Sequence, residues 1–192
     1  MYRSISGGTI MQSDIPRTST NKLVLSSLMI CLVLLGTILF RIPVPMTQGY
    51  VHLGDAMIYI GVILLGKKQG AVSAALGSAL GDVLGGFAFW APWTLFIKFA
   101  MAYTAGVLLD RLSAGAHHHT PSAAADMISR AAAMSAGGIV MCAGYFVAER
   151  IMYGSWAIAA IALPWNIGQF AVGIAVAAAA GPLCERVRDI SK

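Results

Sequence analysis

The chain has 192 residues, of which 58% are hydrophobic and 11% charged, with a formal net charge of +5. A soluble domain carries roughly 25% charged residues, and the mean hydropathy here is +0.75. A water-soluble fold is therefore excluded, and one all-α polytopic membrane domain, with no length left for a second, is expected. The positive charge does not point to nucleic acid, because the Lys and Arg residues are scattered at the ends of apolar segments rather than gathered on one face.

The first 22 residues are polar, with Arg3, Arg17 and Lys22 and no cleavage site after the first apolar run, and read as a loose cytoplasmic tail and not a signal peptide. A first apolar segment follows from Leu23 to Phe40. Arg41-Ile-Pro-Val-Pro45 stops it, since two prolines one residue apart cannot continue a helix. The link from Arg41 to His52 is too long for a minimal turn and holds Arg41, Thr47, Gln48, Tyr50 and His52 next to Asp55, which suits a loop folded over a site. The second segment, Leu53 to Gly66, is short for a span. Lys67-Lys68-Gln69-Gly70 then reads as a tight basic turn.

The third segment, Ala71 to Phe89, carries the most unusual stretch of the chain. Gly77, Gly81 and Gly85 recur every four residues and mark a helical stripe on which another backbone can approach closely. Asp82 lies inside that apolar run. After a break at Trp90-Ala-Pro-Trp93, the fourth segment runs from Trp93 to Leu112 and contains a lone cation, Lys98. Charges in such company are costly and mark function by default.

A polar insert from Ser113 to Asp126 includes His117-His118-His119 and Pro121; without carboxylate or Cys partners it reads as a solvated loop and not a metal site. Cys31, Cys142 and Cys184 are far apart, lack metal-ligand spacing and imply no disulfide. The fifth segment, Ile128 to Tyr153, bears Glu149 and Arg150 at its far end. The sixth is expected from Pro164 to Leu183, with Gly154 to Leu163 as a short interfacial or re-entrant piece and residues 185–192 as a charged cytoplasmic tail.

Six spans put both termini on one side. With both in the cytoplasm, Arg3, Arg17, Lys22, Lys67, Lys68, Arg111, Arg130, Arg186, Arg188 and Lys192 lie inside, and only Arg41, Lys98 and Arg150 outside, a clear positive-inside bias. Trp90, Trp93, Trp156 and Trp165 then fall toward the outer face. So do Arg41, His52, Asp55, Asp82, Lys98, Glu149, Arg150, Asn166 and Gln169, a set whose charges cancel formally and suit a neutral or zwitterionic ligand. Asn166 and Gln169 share one helical face, and the tryptophans and Tyr50 offer surfaces for a heteroaromatic ring. No nucleophile constellation, phosphate loop, HExxH or Cys-rich site is present. No catalytic residue, metal or cofactor is expected, and with no ATP-binding motif, uphill movement of a ligand requires partners or an ion gradient.

Arg41-Ile-Pro-Val-Pro45, the block GYVHLGDAMIYIGVILLGKKQGAVSAALGSALGDVLGGFAFWAPWTLFIK, then GYFVAERIMYG and LPWNIGQ, together resemble the substrate-binding (S) components of energy-coupling-factor (ECF) vitamin transporters. The pattern is most similar to the riboflavin-type and hydroxymethylpyrimidine- or pyridoxine-type group, and the resemblance covers about Leu23 to Leu183. It implies a six-helix protein of the cell membrane that captures a small vitamin on its outer face, with the first loop as lid. The implied partners are a transmembrane coupling subunit, two cytosolic ATPases and the lipid bilayer, and the loaded subunit is thought to topple in the membrane to release its cargo. Transferred to matching positions, the resemblance nominates Tyr50, His52, Asp55, Trp93, Lys98, Glu149, Asn166 and Gln169 for the ligand, with Asp82 in the shared Gly-Ser-Ala-Leu-Gly-Asp pattern. Ser27 and Cys31 stand nearest the family's Ala-xxx-Ala docking spacing. The alternatives are a stand-alone carrier driven by protons through Asp82 or Glu149, and a membrane scaffold that transports nothing.

Overall fold

The computed structural model describes residues 17–46, 49–115 and 123–190. Thr47, Gln48, His117 to His119, Pro121 and the expected N-terminal tail before Arg17 lie outside the described residues. Helix α1 spans Arg17–Leu39, and a small hairpin follows, with strand β1 at Arg41–Pro43 antiparallel to β2 at Tyr50–His52. Helices α2 (Gly54–Leu84), α3 (Ala91–Gly115), α4 (Ala123–Tyr153) and α5 (Trp156–Ile190) complete the chain. The helix α1 thus starts in the polar residues ahead of Leu23, and α5 continues to Ile190.

Among the described residues five helices stand where six segments were expected, and two local causes explain the difference. Residues 67–70, expected as a turn, are helical, so the second and third segments join into α2. Gly66 alone leaves the helical region, at φ 76°, ψ 178°, a conformation costly for any side chain but glycine. The bend is sharp: a Cβ on Gly70 would stand 2.8 Å from Val62 Cα on the opposite arm. The second cause lies at the end of α4, where Gly154 adopts φ 68° and its N–H returns to Arg150 O at 3.0 Å. Such a left-handed stop is typical of helix C-termini. Helix α5 starts directly after it, with Ser155 Oγ accepting from Ile158 N at 3.5 Å, so residues 156–163 are its first turns and no separate piece. Pro164 falls inside α5, which membrane helices tolerate.

Helix α2 occupies the centre, packed against α1, α3 and α5, while α3 meets α4 and α4 meets α5. The glycine stripe forms the seam with α1. A Cβ on Gly77 would lie 2.7 Å from Val33 Cβ, one on Gly81 2.6 Å from Thr37 Cγ2, and one on Gly85 2.1 Å from the Arg41 guanidinium. The Gly77 and Gly81 steps on α2 therefore meet the Val33 and Thr37 steps on α1 at a spacing that a larger residue would crowd, and Gly85, just past α2, meets Arg41 of β1.

The distribution of side chains is that of a protein solvated by lipid. Leu23, Leu28, Leu35, Phe96, Ile139, Ile151 and Leu183 are exposed, whereas Asp55, Ser73, Ser78 and Lys98 are fully buried. Exposed hydroxyls on α1 are satisfied within their own helix, Ser26 Oγ donating to Lys22 O at 2.8 Å and Ser27 Oγ to Leu23 O at 3.0 Å. Four helices among the described residues are long and apolar enough to cross a bilayer: Thr20–Leu39, Ala91–Leu112, Ala125–Tyr153 and Trp156–Gly181. The chain is a multi-pass membrane protein.

Candidate ligand-binding site

The hairpin after α1 lies over one end of the bundle, and Arg41 holds it there. Arg41 Nε donates to Thr37 O at 2.9 Å, and its two Nη atoms donate to Gly85 O and Gly81 O, each at 3.1 Å. Those carbonyls belong to the C-terminal end of α2, where the partial negative charge of the helix favours a cation. The same guanidinium lies 4.7 Å from the Tyr50 ring centroid and 5.6 Å from that of Phe87. One side chain thus fixes the end of α1, the end of α2 and the inner strand of the hairpin.

Beneath the hairpin is a cleft lined by Val44, Gly49, Tyr50 and His52 from the loop, Asp82 from α2, Trp90 and Thr94 at the start of α3, Tyr145 and Glu149 from α4, and Ala162, Asn166 and Gln169 from α5. The cleft is narrow: its cavity volume is about 30 Å³, room for a water molecule or two, so a ligand enters only as the hairpin or the lining side chains move apart. Asp82 stands near the C-terminus of α2, where the helix dipole disfavours a carboxylate; Tyr50 OH donates to its Oδ1 at 2.5 Å. Burial and the neighbouring Asp82 push the Tyr50 hydroxyl far above its ordinary range, so it stays a donor. Trp90 meets Tyr145 edge-on at 6.0 Å, and Tyr145 OH donates to Thr94 Oγ1 at 3.3 Å.

His52 is held as a neutral ring. Gly54 N donates to its Nδ1 at 3.0 Å, which leaves the proton on Nε2. Burial first, and the charge of Lys98 second, lower its pKa to about 3.

Under the cleft floor runs a fully buried polar chain. Lys98 Nζ donates to Asp55 Oδ1, both side chains being 0% exposed, and also to Met141 Sδ at 2.9 Å. Asp55 Oδ2 accepts from Gln169 Nε2 at 2.9 Å, and Gln169 Oε1 accepts from the His52 backbone N–H at 2.9 Å. A buried ion pair is tolerable when its remaining hydrogen-bonding positions are filled, and Gln169 fills one of them. Asp55 sits in the first turn of α2, where the helix dipole favours an anion.

Of the residues singled out in the sequence, Tyr50, His52, Asp82, Glu149, Asn166 and Gln169 line the cleft. Three do not. Asp55 and Lys98 lie below it, bonded to each other, and Trp93 is half-buried against the apolar core. Gln169 lines the cleft, yet both polar ends of its amide are bonded to protein groups. The charge balance is also different from the sequence expectation: among the described residues no Lys or Arg lines the cleft. Arg41 and Lys98 are bonded as described, and the Arg150 guanidinium lies 5.2 Å from the Trp156 ring. Trp90 was offered only as one of four tryptophans able to face a ring, and Thr94 and Tyr145 were missed, although one helical turn back from Lys98 is Thr94, and one turn further is Trp90. The same step from Glu149 reaches Tyr145. Among the described residues no cluster of metal-ligating side chains occurs.

Ser27 and Cys31 both face outward on α1, away from the Met29, Val33 and Thr37 stripe that packs inside.

Comparison with known proteins agrees with this architecture. The sequence profile of the family described as ECF-type riboflavin transporter, S component, matches residues 17–184. The chain is 30% identical over 149 residues to the thiamine precursor transporter HmpT of Lactococcus lactis subsp. cremoris, covering 77% of this chain and 78% of that protein. It is also 36% identical over 118 residues to a Pyrococcus woesei protein described only as an uncharacterized protein in gap 3'region, covering 62% of this chain and 71% of the relative. A membrane bundle with a polar cleft capped by its first loop, matched over nearly its whole described length, places the chain in the family of ECF transporter S components, membrane proteins of vitamin uptake.

Proposed function

We propose that this chain is the substrate-capture subunit of an ATP-driven ECF importer, and that the cleft under the hairpin binds a small water-soluble vitamin or vitamin precursor. The observation that carries the reading is convergence: the hairpin and four helices each contribute polar or aromatic side chains to one cleft, in a chain that otherwise turns apolar residues outward. Tyr50, His52, Asp82, Glu149 and Asn166 contact the ligand, together with Trp90, Thr94 and Tyr145. Asp55, Lys98 and Gln169 hold the floor and the hairpin in place. A compact one-ring ligand of the pyridoxine or pyrimidine kind requires less opening of this narrow cleft than a flavin, in line with the thiamine-precursor relative.

In this account both termini are cytoplasmic, the two arms of α2 count as separate passes, and the chain crosses the membrane six times. A transmembrane coupling subunit docks on the outward-facing Ser27 and Cys31 stripe of α1, and two cytosolic ATPases supply the work. Moving a two-state protein from about 1:99 to 99:1 takes about 5.5 kcal/mol, and the chain has no nucleotide motif of its own. Native mass spectrometry of gently purified protein tests the capture role: one small heterocycle per chain is the expected result, and failure of any vitamin or precursor to bind contradicts it.

A second reading, a proton-coupled carrier, draws on the unpartnered buried oxygens of Asp82 and Glu149. Uptake that persists without ATP and collapses with an uncoupler selects it over the first.

A further inference from the structure

The cleft's polar atoms are unbalanced in a way that describes its ligand. Glu149 is 5% exposed and its Oε2 has no hydrogen-bond partner; Asp82 is 4% exposed and its Oδ2 has none. Neither carboxylate takes part in an ion pair among the described residues. The other Asp82 oxygen accepts from Tyr50, and the Thr94 hydroxyl stands beside the same carboxylate, so Glu149 is the less satisfied of the two. An acceptor buried without a donor is destabilising, and a charged one inside a membrane bundle more so.

Among the described residues no cation relieves them. Lys98 is fully buried on Asp55 and Met141. Arg41 is spread over three backbone carbonyls. His52 is neutral, with Nδ1 already accepting. Beside the two carboxylates stand Trp90 and Tyr145, whose rings offer faces to a flat ligand.

We propose that the cleft selects a single-ring nitrogen heterocycle that presents N–H donors, an exocyclic amino group above all, to Glu149 Oε2 with Asp82 Oδ2 as the second acceptor. Acceptor-rich rings without such donors are rejected, because they leave both carboxylates buried and unpaired. This rests on the cleft being the ligand site and names the chemistry that site recognises.

The test is equilibrium binding to the purified full chain of two matched probes, 4-amino-2-methylpyrimidine and 4-methoxy-2-methylpyrimidine, which has no N–H. The amino probe is expected to bind at least about tenfold more tightly, a difference of about 1.4 kcal/mol. Glu149→Gln, an isosteric change, should erase most of that preference, and Asp82→Asn should reduce it by a smaller factor. Equal or tighter binding of the methoxy probe, no measurable binding of the amino probe, or a preference untouched by both variants overturns the proposal. The broader reading fails differently: Asn166→Ala then leaves the affinity of every bound ligand unchanged. Tight binding of an acceptor-rich ring that Asn166→Ala weakens keeps the cleft as the site and sinks the donor rule alone.

Discussion

The side-chain amide of Gln169 donates to Asp55 Oδ2 at 2.9 Å while its oxygen accepts the His52 backbone N–H at the same distance. That one residue of α5 therefore joins the lid strand to the buried ion pair, and the floor and cover of the cleft become one structure. Gln169→Leu keeps the volume but leaves the Asp55 oxygen and the His52 N–H without partners. We expect a loss of about 1–3 kcal/mol in stability, read as a lower unfolding midpoint in detergent, together with weaker ligand binding.

Lys98 and Asp55 make a sharper case. Removing one member of a buried pair costs about 3–5 kcal/mol, whereas replacing both with apolar groups is often neutral. Lys98→Met should therefore unfold the chain at markedly lower temperature, and the double change Lys98→Met with Asp55→Leu should recover much of that loss. A double variant as unstable as the sum of the singles contradicts the pairing.

His52 gives a pH signature. Its folded pKa, near 3, lies below the usual 6.5 because burial and Lys98 disfavour the charged ring. Between those values the unfolded chain binds the extra proton, so the His52 contribution to stability rises with pH through that window and is constant above it. The stability difference between wild type and His52→Gln should shrink as pH falls below about 6.5, and stay level above it. A difference that grows on acidification contradicts the assignment.

The α1–α2 seam predicts a contrast among glycines. Gly81→Ala places a methyl group 2.6 Å from Thr37 Cγ2, and overpacking of this kind costs about 1–3 kcal/mol. Gly168 has nothing within 4 Å of an added Cβ, and in mid-helix Gly168→Ala should stabilise by about 0.5–1 kcal/mol. Thermal unfolding of the two variants in the same detergent distinguishes them.

Much of this was legible in the residues. Apolar runs located the helices, the prolines after Phe40 ended α1, and the spacing of Gly77, Gly81 and Gly85 foretold a close helix contact. Asp82, Glu149 and Asn166 declared themselves because polar groups are conspicuous in an apolar chain. What spacing alone did not reveal was pairing: Asp55 and Lys98 are far apart in sequence and cancel each other below the cleft, which leaves its lining acidic instead of dipolar. Nor did composition show that Lys67 to Gly70 would continue as helix, since a single glycine torsion at Gly66 makes the bend that a loop was expected to make. Trp93 was preferred to Trp90 because both sit in one motif and only the helical phase of α3 separates them.

Whether ligand binds in the cleft between the hairpin and α3, α4 and α5 is decided by calorimetric titration of the purified chain with a panel of thiamine-precursor, pyridoxine-like and flavin compounds. We predict one-to-one binding of a single class, weakened at least about tenfold, or by about 1.4 kcal/mol, in both Asn166→Ala and His52→Ala, each checked to be folded. Binding that neither substitution changes would place the ligand elsewhere and contradict the account.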